Sequence, residues 1–164
     1  MQGERWAFGN TGGGRRRNFA STSDLLTLDF IRALHKRMFG ETWRWAGTFR
    51  STEKNIGVDP ARIGSNLADL GEDVKTQLKH ASYSLDEIAA RLSHRLVSVH
   101  PFATGNGRLS RTFADLILVE NGAPRFTWGT VNLVSEIQTR ATYLAALRAA
   151  DAKDYKPLLA FVRS

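Results

Sequence analysis

From Thr27 to Val162 apolar side chains return every three or four positions, with one long interruption between residues 43 and 60. That spacing commits most of the chain to α-helices that pack through a single apolar face. Thr27 is placed to cap a helix whose inner face carries Phe30, Ile31, Leu34 and Met38, and Gly40 suits a left-handed exit. Asp59-Pro60 is a helix start, followed by Ile63, Leu67, Leu70, Val74 and Leu78. Ser84 and Glu87 have the spacing of a capping box ahead of Ile88, Leu92, Leu96 and Val99. Leu109, Phe113, Leu116 and Ile117 mark a helix that Asn121-Gly122 ends. A further helix is expected over 135–150, and a short last one through Tyr155, Leu158, Leu159 and Val162. The interruption, WRWAGTFRSTEKNIGVDP, sets aromatic and β-branched residues around a polar centre and reads as a small β-hairpin. The expected fold is mainly α, a helical bundle with one β-hairpin flap.

With 164 residues and 42% apolar content, one domain with one ordinary core is expected. The absence of cysteine excludes disulfides, thiolate metal sites and a cysteine nucleophile, and fits a reducing compartment. No run approaches the roughly 18 to 20 apolar residues of a membrane span, and the N-terminus lacks the apolar core of a secretory signal. A soluble cytoplasmic protein with no membrane partner is expected. Residues 1–24 stand apart: GNTGGGRRRNFASTSD has almost no apolar periodicity and reads as a flexible arm, so the domain proper is expected over 25–164. GNTGGGRRR is not a P-loop, because no strand precedes it and no Gly-Lys-Ser/Thr follows. The net charge of +7, 23 Lys and Arg against 16 Asp and Glu, favours an anionic partner. No zinc spacing or aromatic-basic sheet signature accompanies the basic run Arg15–Arg17, so nucleic acid is not the expected partner.

The chemistry concentrates in HPFATGNGRLSR, residues 100–111, between two of the expected helices. Gly105 and Gly107 let successive amide N–H groups face one concavity at a helix N-terminus, where the helix dipole favours a phosphate. Arg108 and Arg111 are three apart and emerge on one helix face, within reach of one polyphosphate. Asn106 offers a neutral donor to an oxygen gaining charge, and His100 is placed to take a proton from an attacking hydroxyl. Together these point to phosphoryl or nucleotidyl transfer. His35, His80 and His94 lack such a setting and read as structural, and Phe102 reads as a core or loop anchor.

In this order the residues resemble the signature of the Fic family, His-Pro-Phe-x-Asp/Glu-Gly-Asn-Gly-Arg-x-x-Arg, with one departure at Thr104. The flap segment is also similar to the family's, and from about Leu25 onward the chain resembles the Fic proteins called mobile mystery protein B. The resemblance implies a helical domain that transfers AMP from ATP to a Ser, Thr or Tyr hydroxyl of a protein target, with Mg²⁺ on the phosphates. It implies that His100 is the general base, that Asn106 holds the α-phosphate, and that Gly105 and Gly107 supply the anion-binding backbone. Arg108 and Arg111 would bind the β- and γ-phosphates. The flap residues Thr48, Phe49, Arg50, Ser51, Thr52, Glu53, Lys54, Asn55, Ile56 and Gly57 would dock the target. Glycine at 107, where the family's kinases tend to carry lysine, points to nucleotidyl transfer.

Thr104 occupies the position of the carboxylate that would hold Mg²⁺, and a hydroxyl is a poor ligand for so hard a cation. Charge on a departing pyrophosphate then falls to the arginines and the helix dipole, or to a metal held by nucleotide and water. The second reading is a nucleotide- or partner-binding module, of toxin–antitoxin type, with impaired turnover. The family's inhibitory pattern, Ser/Thr-x-x-x-Glu-Gly/Asn, is not met: Glu120-Asn121 has Leu116 four residues before the glutamate. Either an antitoxin-like inhibitor chain is a partner that supplies the brake, or the N-terminal arm replaces it, or the protein is unregulated.

Overall fold

The computed structural model describes residues 21–132 and 134–164. The basic run Arg15–Arg17 and the rejected P-loop lie outside the described residues. The order is α1 (Thr22–Leu25), α2 (Leu28–Phe39), a 3₁₀ turn (Pro60–Arg62), α3 (Ile63–His80), α4 (Leu85–Val99), α5 (Asn106–Glu120), α6 (Glu136–Asp151) and α7 (Lys156–Val162). Residues 22–24, assigned by sequence to the arm, form the first helix instead. Ser21 and Asp24 close a capping box on it, and Leu25 and Leu26 enter the core.

Helix α4 is the axis of the molecule. Ile88, Leu92, Leu96 and Val99 face a first core shared with Ile31 and Leu34 of α2, Ile63, Leu67 and Val74 of α3, and Leu109, Phe113 and Ile117 of α5. Ala89 and Ala90 turn to a second core with Ala114 of α5 and the inner faces of α6 and α7, including Tyr143, Leu158 and Phe161. Small residues meet where α4 and α5 pack, so the two helices approach closely and deliver their ends, His100 and Asn106, to one place.

The helix ends show where local signals held. Asp59 accepts from Ala61 N–H and starts the turn into α3; Ser135 and Gln138 form a capping box on α6, displaced by one residue from the expected span. Ser84 caps α4 through Glu87 N–H, but the reciprocal half of its expected box is missing, because the Glu87 carboxylate takes both Nε and Nη2 of Arg91. Gly40 leaves α2 at φ −63°, so the expected left-handed exit is corrected: the next residues wind into turns on Phe39 O.

The expected β-hairpin is overturned, since no strand occurs among the described residues. A hairpin needs its two arms to bond each other. Here each arm bonds the chain leaving α4: Arg50 N–H donates to Pro101 O at 2.9 Å, and Val58 N–H to Val99 O at 3.3 Å. The flap is an irregular loop tied at both ends to the motif. Among the described residues no helix is long and apolar enough to cross a membrane.

Because Ala114 is fully buried where α5 meets α4, Ala114→Leu forces extra volume into a close contact. A loss of about 1–3 kcal/mol in urea unfolding is expected.

Candidate active site

The site begins where α4 stops. His100 is its C-cap, in the left-handed conformation at φ 54° and ψ 60°, a state that disfavours a non-glycine residue by about 1–2 kcal/mol. Pro101 prevents continuation of the helix. The His100 ring is half-buried, and its Nδ1 is buried with no hydrogen-bond partner among the described residues. Val97 O supports the charged ring from nearby, without reaching hydrogen-bond geometry. Burial first, then the charges of Arg50 and Lys54, depress the His100 pKa below its ordinary value of 6.5.

From Phe102 to Asn106 the loop is closed on itself. Phe102 N–H donates to Asn106 Oδ1 at 2.9 Å, and Asn106 Nδ2 donates to Phe102 O at 2.8 Å, in a side chain only 2% exposed. Sequence reasoning gave Asn106 a phosphate; the structure also gives it the closure of the loop. An amide nitrogen carries two hydrogens, and one of them is committed here. Gly105 is the N-cap of α5 at φ 83°, and a Cβ on it would lie 2.7 Å from the Phe39 ring and 3.3 Å from His35 Nε2. Gly107 differs, since a Cβ there would meet only Arg111 Nη1 at 3.7 Å. The concavity before α5 is therefore open at 107 and closed at 105.

The flap supplies a clamp that the sequence did not disclose. Arg50, only 6% exposed, donates from Nε to His100 O at 2.6 Å, from Nη1 to Thr52 O at 3.0 Å, and from Nη2 to Val58 O and Val99 O. It is an anchor and not a docking residue. A Cβ on Gly57 would fall 2.7 Å from His100 Cβ, so the far arm of the flap rests against the same residue. Thr48 and Ser51 through Gly57 are exposed, whereas Phe49 is half-buried against Phe102. No sequence signal marked Arg50, because an arginine in a polar stretch reads as solvated.

On the other side of the motif lies a cavity of about 740 Å³, lined by Gly107, Arg111, Trp128, Arg140, Tyr143 and Leu147 among others. Its volume is within the range of small-molecule and cofactor sites. Arg111 lies over the Tyr143 ring at 5.4 Å, while Arg108 lies over Phe39 at 4.9 Å on the α2 side. The structure thus parts the two arginines that their spacing had placed on one face. Asp115 holds one lining residue from behind, accepting from Trp128 Nε1 and from Phe126 N–H at 3.1 Å each; burial raises its pKa. A carboxylate inside the apolar run 113–119 was the available signal for it. His94, read as structural, is buried and bonds Asp151 at 2.8 Å.

A protein-held metal does not fit the donor set. Among the described residues no three His, Cys, Asp or Glu side chains are grouped to hold an ion. Thr104 itself is exposed, and its carbonyl faces His35 Nε2 at 3.0 Å.

The model of the Fic/DOC family matches residues 25–118. The chain belongs to this family. It is 30% identical over 146 residues to protein adenylyltransferase fic-1 of Caenorhabditis elegans, covering 85% of this chain and 27% of the relative. With protein adenylyltransferase Fic of Nematostella vectensis it shares 28% over 151 residues, covering 85% of this chain and 32% of that one. The chain therefore spans about a quarter to a third of the length of these curated relatives. The solved structure of C. elegans Fic-1 (residues 134 to 508 of that protein) superposes with a TM-score of 0.70 at 30% identity, over 84% of this chain and 39% of that one. BepC of Bartonella tribocorum, solved with bound AMPPNP, shares the fold at a TM-score of 0.65 and 18% identity, over 84% of this chain and 73% of that one.

The two motif glycines should separate in stability. Gly105→Ala combines a left-handed backbone with a ring clash and is expected to lower stability by about 2 kcal/mol or more. Gly107→Ala, in the first turn of α5, should be neutral or stabilising by up to about 1 kcal/mol. Thermal unfolding of the two variants makes the comparison.

Proposed function

We propose that this domain is a Fic-type nucleotidyltransferase that moves AMP from ATP to a Ser, Thr or Tyr hydroxyl of a protein. The observation that carries the reading is the junction of α4 and α5. There His100 ends α4 in a left-handed turn, Gly105 starts α5, and Gly107 and Arg111 line a cavity of about 740 Å³. The names of the relatives, protein adenylyltransferases, support it.

In this proposal the flap presents a target hydroxyl to His100. The depressed pKa keeps the ring neutral, so His100 Nε2 accepts the hydroxyl proton as the oxygen attacks the α-phosphorus. The bond from the α-phosphorus to the oxygen bridging to the β-phosphate breaks, and pyrophosphate leaves as the protein–O–AMP bond forms. The amides of Gly105 to Gly107 and the second hydrogen of Asn106 Nδ2 hold the α-phosphate. Arg111 and Arg108 take the charge of the leaving pyrophosphate. No step is assigned to Mg²⁺, because the Thr104 hydroxyl is not a hard anionic ligand.

The same proposal includes a Fic-like domain that takes in α1 ahead of the expected boundary at residue 25, kinship with mobile mystery protein B, an antitoxin-like inhibitor chain, and a cytoplasmic setting, which the lack of cysteine supports. The exposed threonine at 104, with its carbonyl facing His35, favours the second reading, nucleotide binding with impaired turnover. Intact-mass analysis with ATP, CTP, GTP and UTP separates the two. A mass gain of one nucleotide, abolished in His100→Ala, is expected under transfer; binding of ATP with no gain in either form supports the module. Thr104→Asp should raise transfer in Mg²⁺ by about a hundredfold or more.

The pH profile tests the base. A depressed pKa keeps the competent neutral ring present below 6.5, so the acid limb of kcat/KM is expected below that value, with activity lost as pH falls through it. Lys54→Gln removes one of the charges that depress the ring and should move the limb upward.

A further inference from the structure

His35 sits on α2, fully buried, between two segments far apart in sequence. Gly47 N–H donates to its Nδ1 at 2.9 Å. A backbone amide is an obligate donor, so Nδ1 is the acceptor and the ring proton is on Nε2. There it meets Thr104 O at 3.0 Å, an obligate acceptor. The two bonds assign one tautomer and one ring orientation. The ring also stacks on Phe102, with centroids 3.7 Å apart and planes at 12°, and Phe102 is the residue whose N–H and C=O Asn106 holds. Phe39 and Trp45 also pack on the ring, with centroids at 4.8 and 5.9 Å.

The two partners are informative. Gly47 is the last residue before the flap, and Thr104 the last before the anion-binding turn. One imidazole therefore spans the stem of the element that would present the hydroxyl and the root of the element that would hold the phosphate. We infer that His35 is a positioning residue for the transfer, whose Nε2-protonated ring fixes the spacing between the flap and the phosphate cradle. This rests on the transfer reading above. A displacement of about 1 Å between two reacting groups costs on the order of a hundredfold in rate, so a tie of this kind acts on kcat. It leaves untouched the cavity wall formed by Trp128 and Tyr143.

The test compares His35→Phe, which keeps the ring stack and removes both hydrogen bonds, with His35→Gln, whose amide can still donate to Thr104 O. Amide hydrogen exchange, ATP affinity, and kcat and KM for AMP transfer are measured on the full chain. In His35→Phe, exchange at Gly47 and at residues 105–107 is expected to quicken by about tenfold or more, with helices α3 and α6 unchanged. The kcat should fall by about a hundredfold, with a much smaller change in KM for ATP. His35→Gln should restore protection at 105–107 and not at Gly47. Nitrogen-15 spectra of the wild type should show the Nε2–H tautomer. Three results each overturn the proposal: unchanged exchange at both segments, exchange rising equally through α2 and α3 as in plain destabilisation, or kcat within twofold of wild type. If His35→Phe does not fold, His35→Gln carries the comparison at Gly47. If the wild type transfers no AMP, the transfer reading fails by itself, and the exchange data decide whether His35 ties the two segments.

Discussion

A guanidinium with almost no access to water organises the active end of this molecule. An ion removed from solvent loses several kcal/mol unless its hydrogens are satisfied, so Arg50 holds only where carbonyls surround it. The supply is the end of α4, where helix geometry leaves the last carbonyls unpartnered. Arg50 takes those of Val99 and His100 and, from its own loop, those of Thr52 and Val58. Two needs are met together: the helix end is capped from outside, and the flap is fastened without strand pairing. The same contact steadies the left-handed turn at His100 and adds the positive charge that helps depress its ring.

The helices were legible because helical periodicity is local. The inner faces of α3, α4, α5 and α7 contain the residues that their spacing selected, with Leu78, Leu116 and Leu159 only partly buried. What escaped was non-local. The flap has the composition of a hairpin, but its bonding partners lie more than forty residues away, at Pro101 and Val99, and no pattern within residues 43–60 reports them. Glu87 had the spacing of a capping box, yet Arg91 one turn on offered it a bidentate partner. His35 was legible as a structural histidine. That it joins two loops 57 residues apart was not.

The motif shows the same division. Its order suggests a base, a turn and two arginines for the proposed transfer; its geometry gives some of these residues structural duties as well. Asn106 closes the loop it belongs to, so removing its amide would disturb the cradle even before any phosphate arrives. Gly105 is required by the packing of Phe39 and His35, whereas the space beside Gly107 is open.

In the transfer proposal, charge that no carboxylate at 104 would balance falls to the two arginines. Each rests on an aromatic ring, Arg108 on Phe39 and Arg111 on Tyr143, on opposite sides of the α5 N-terminus. Cation–π contacts at accessible positions contribute about 0.5–1 kcal/mol each. Hydrogen bonds to a charged partner contribute more, about 1.5–3 kcal/mol, and an arginine can make two to one phosphate. A polyphosphate entering from the cavity would therefore draw both side chains off their rings. Under the transfer proposal the clamp is assembled by the nucleotide itself. The exposed hydroxyl of Thr104 contributes no charge to that step, and the burden of the leaving group rests on how fully the two arginines converge.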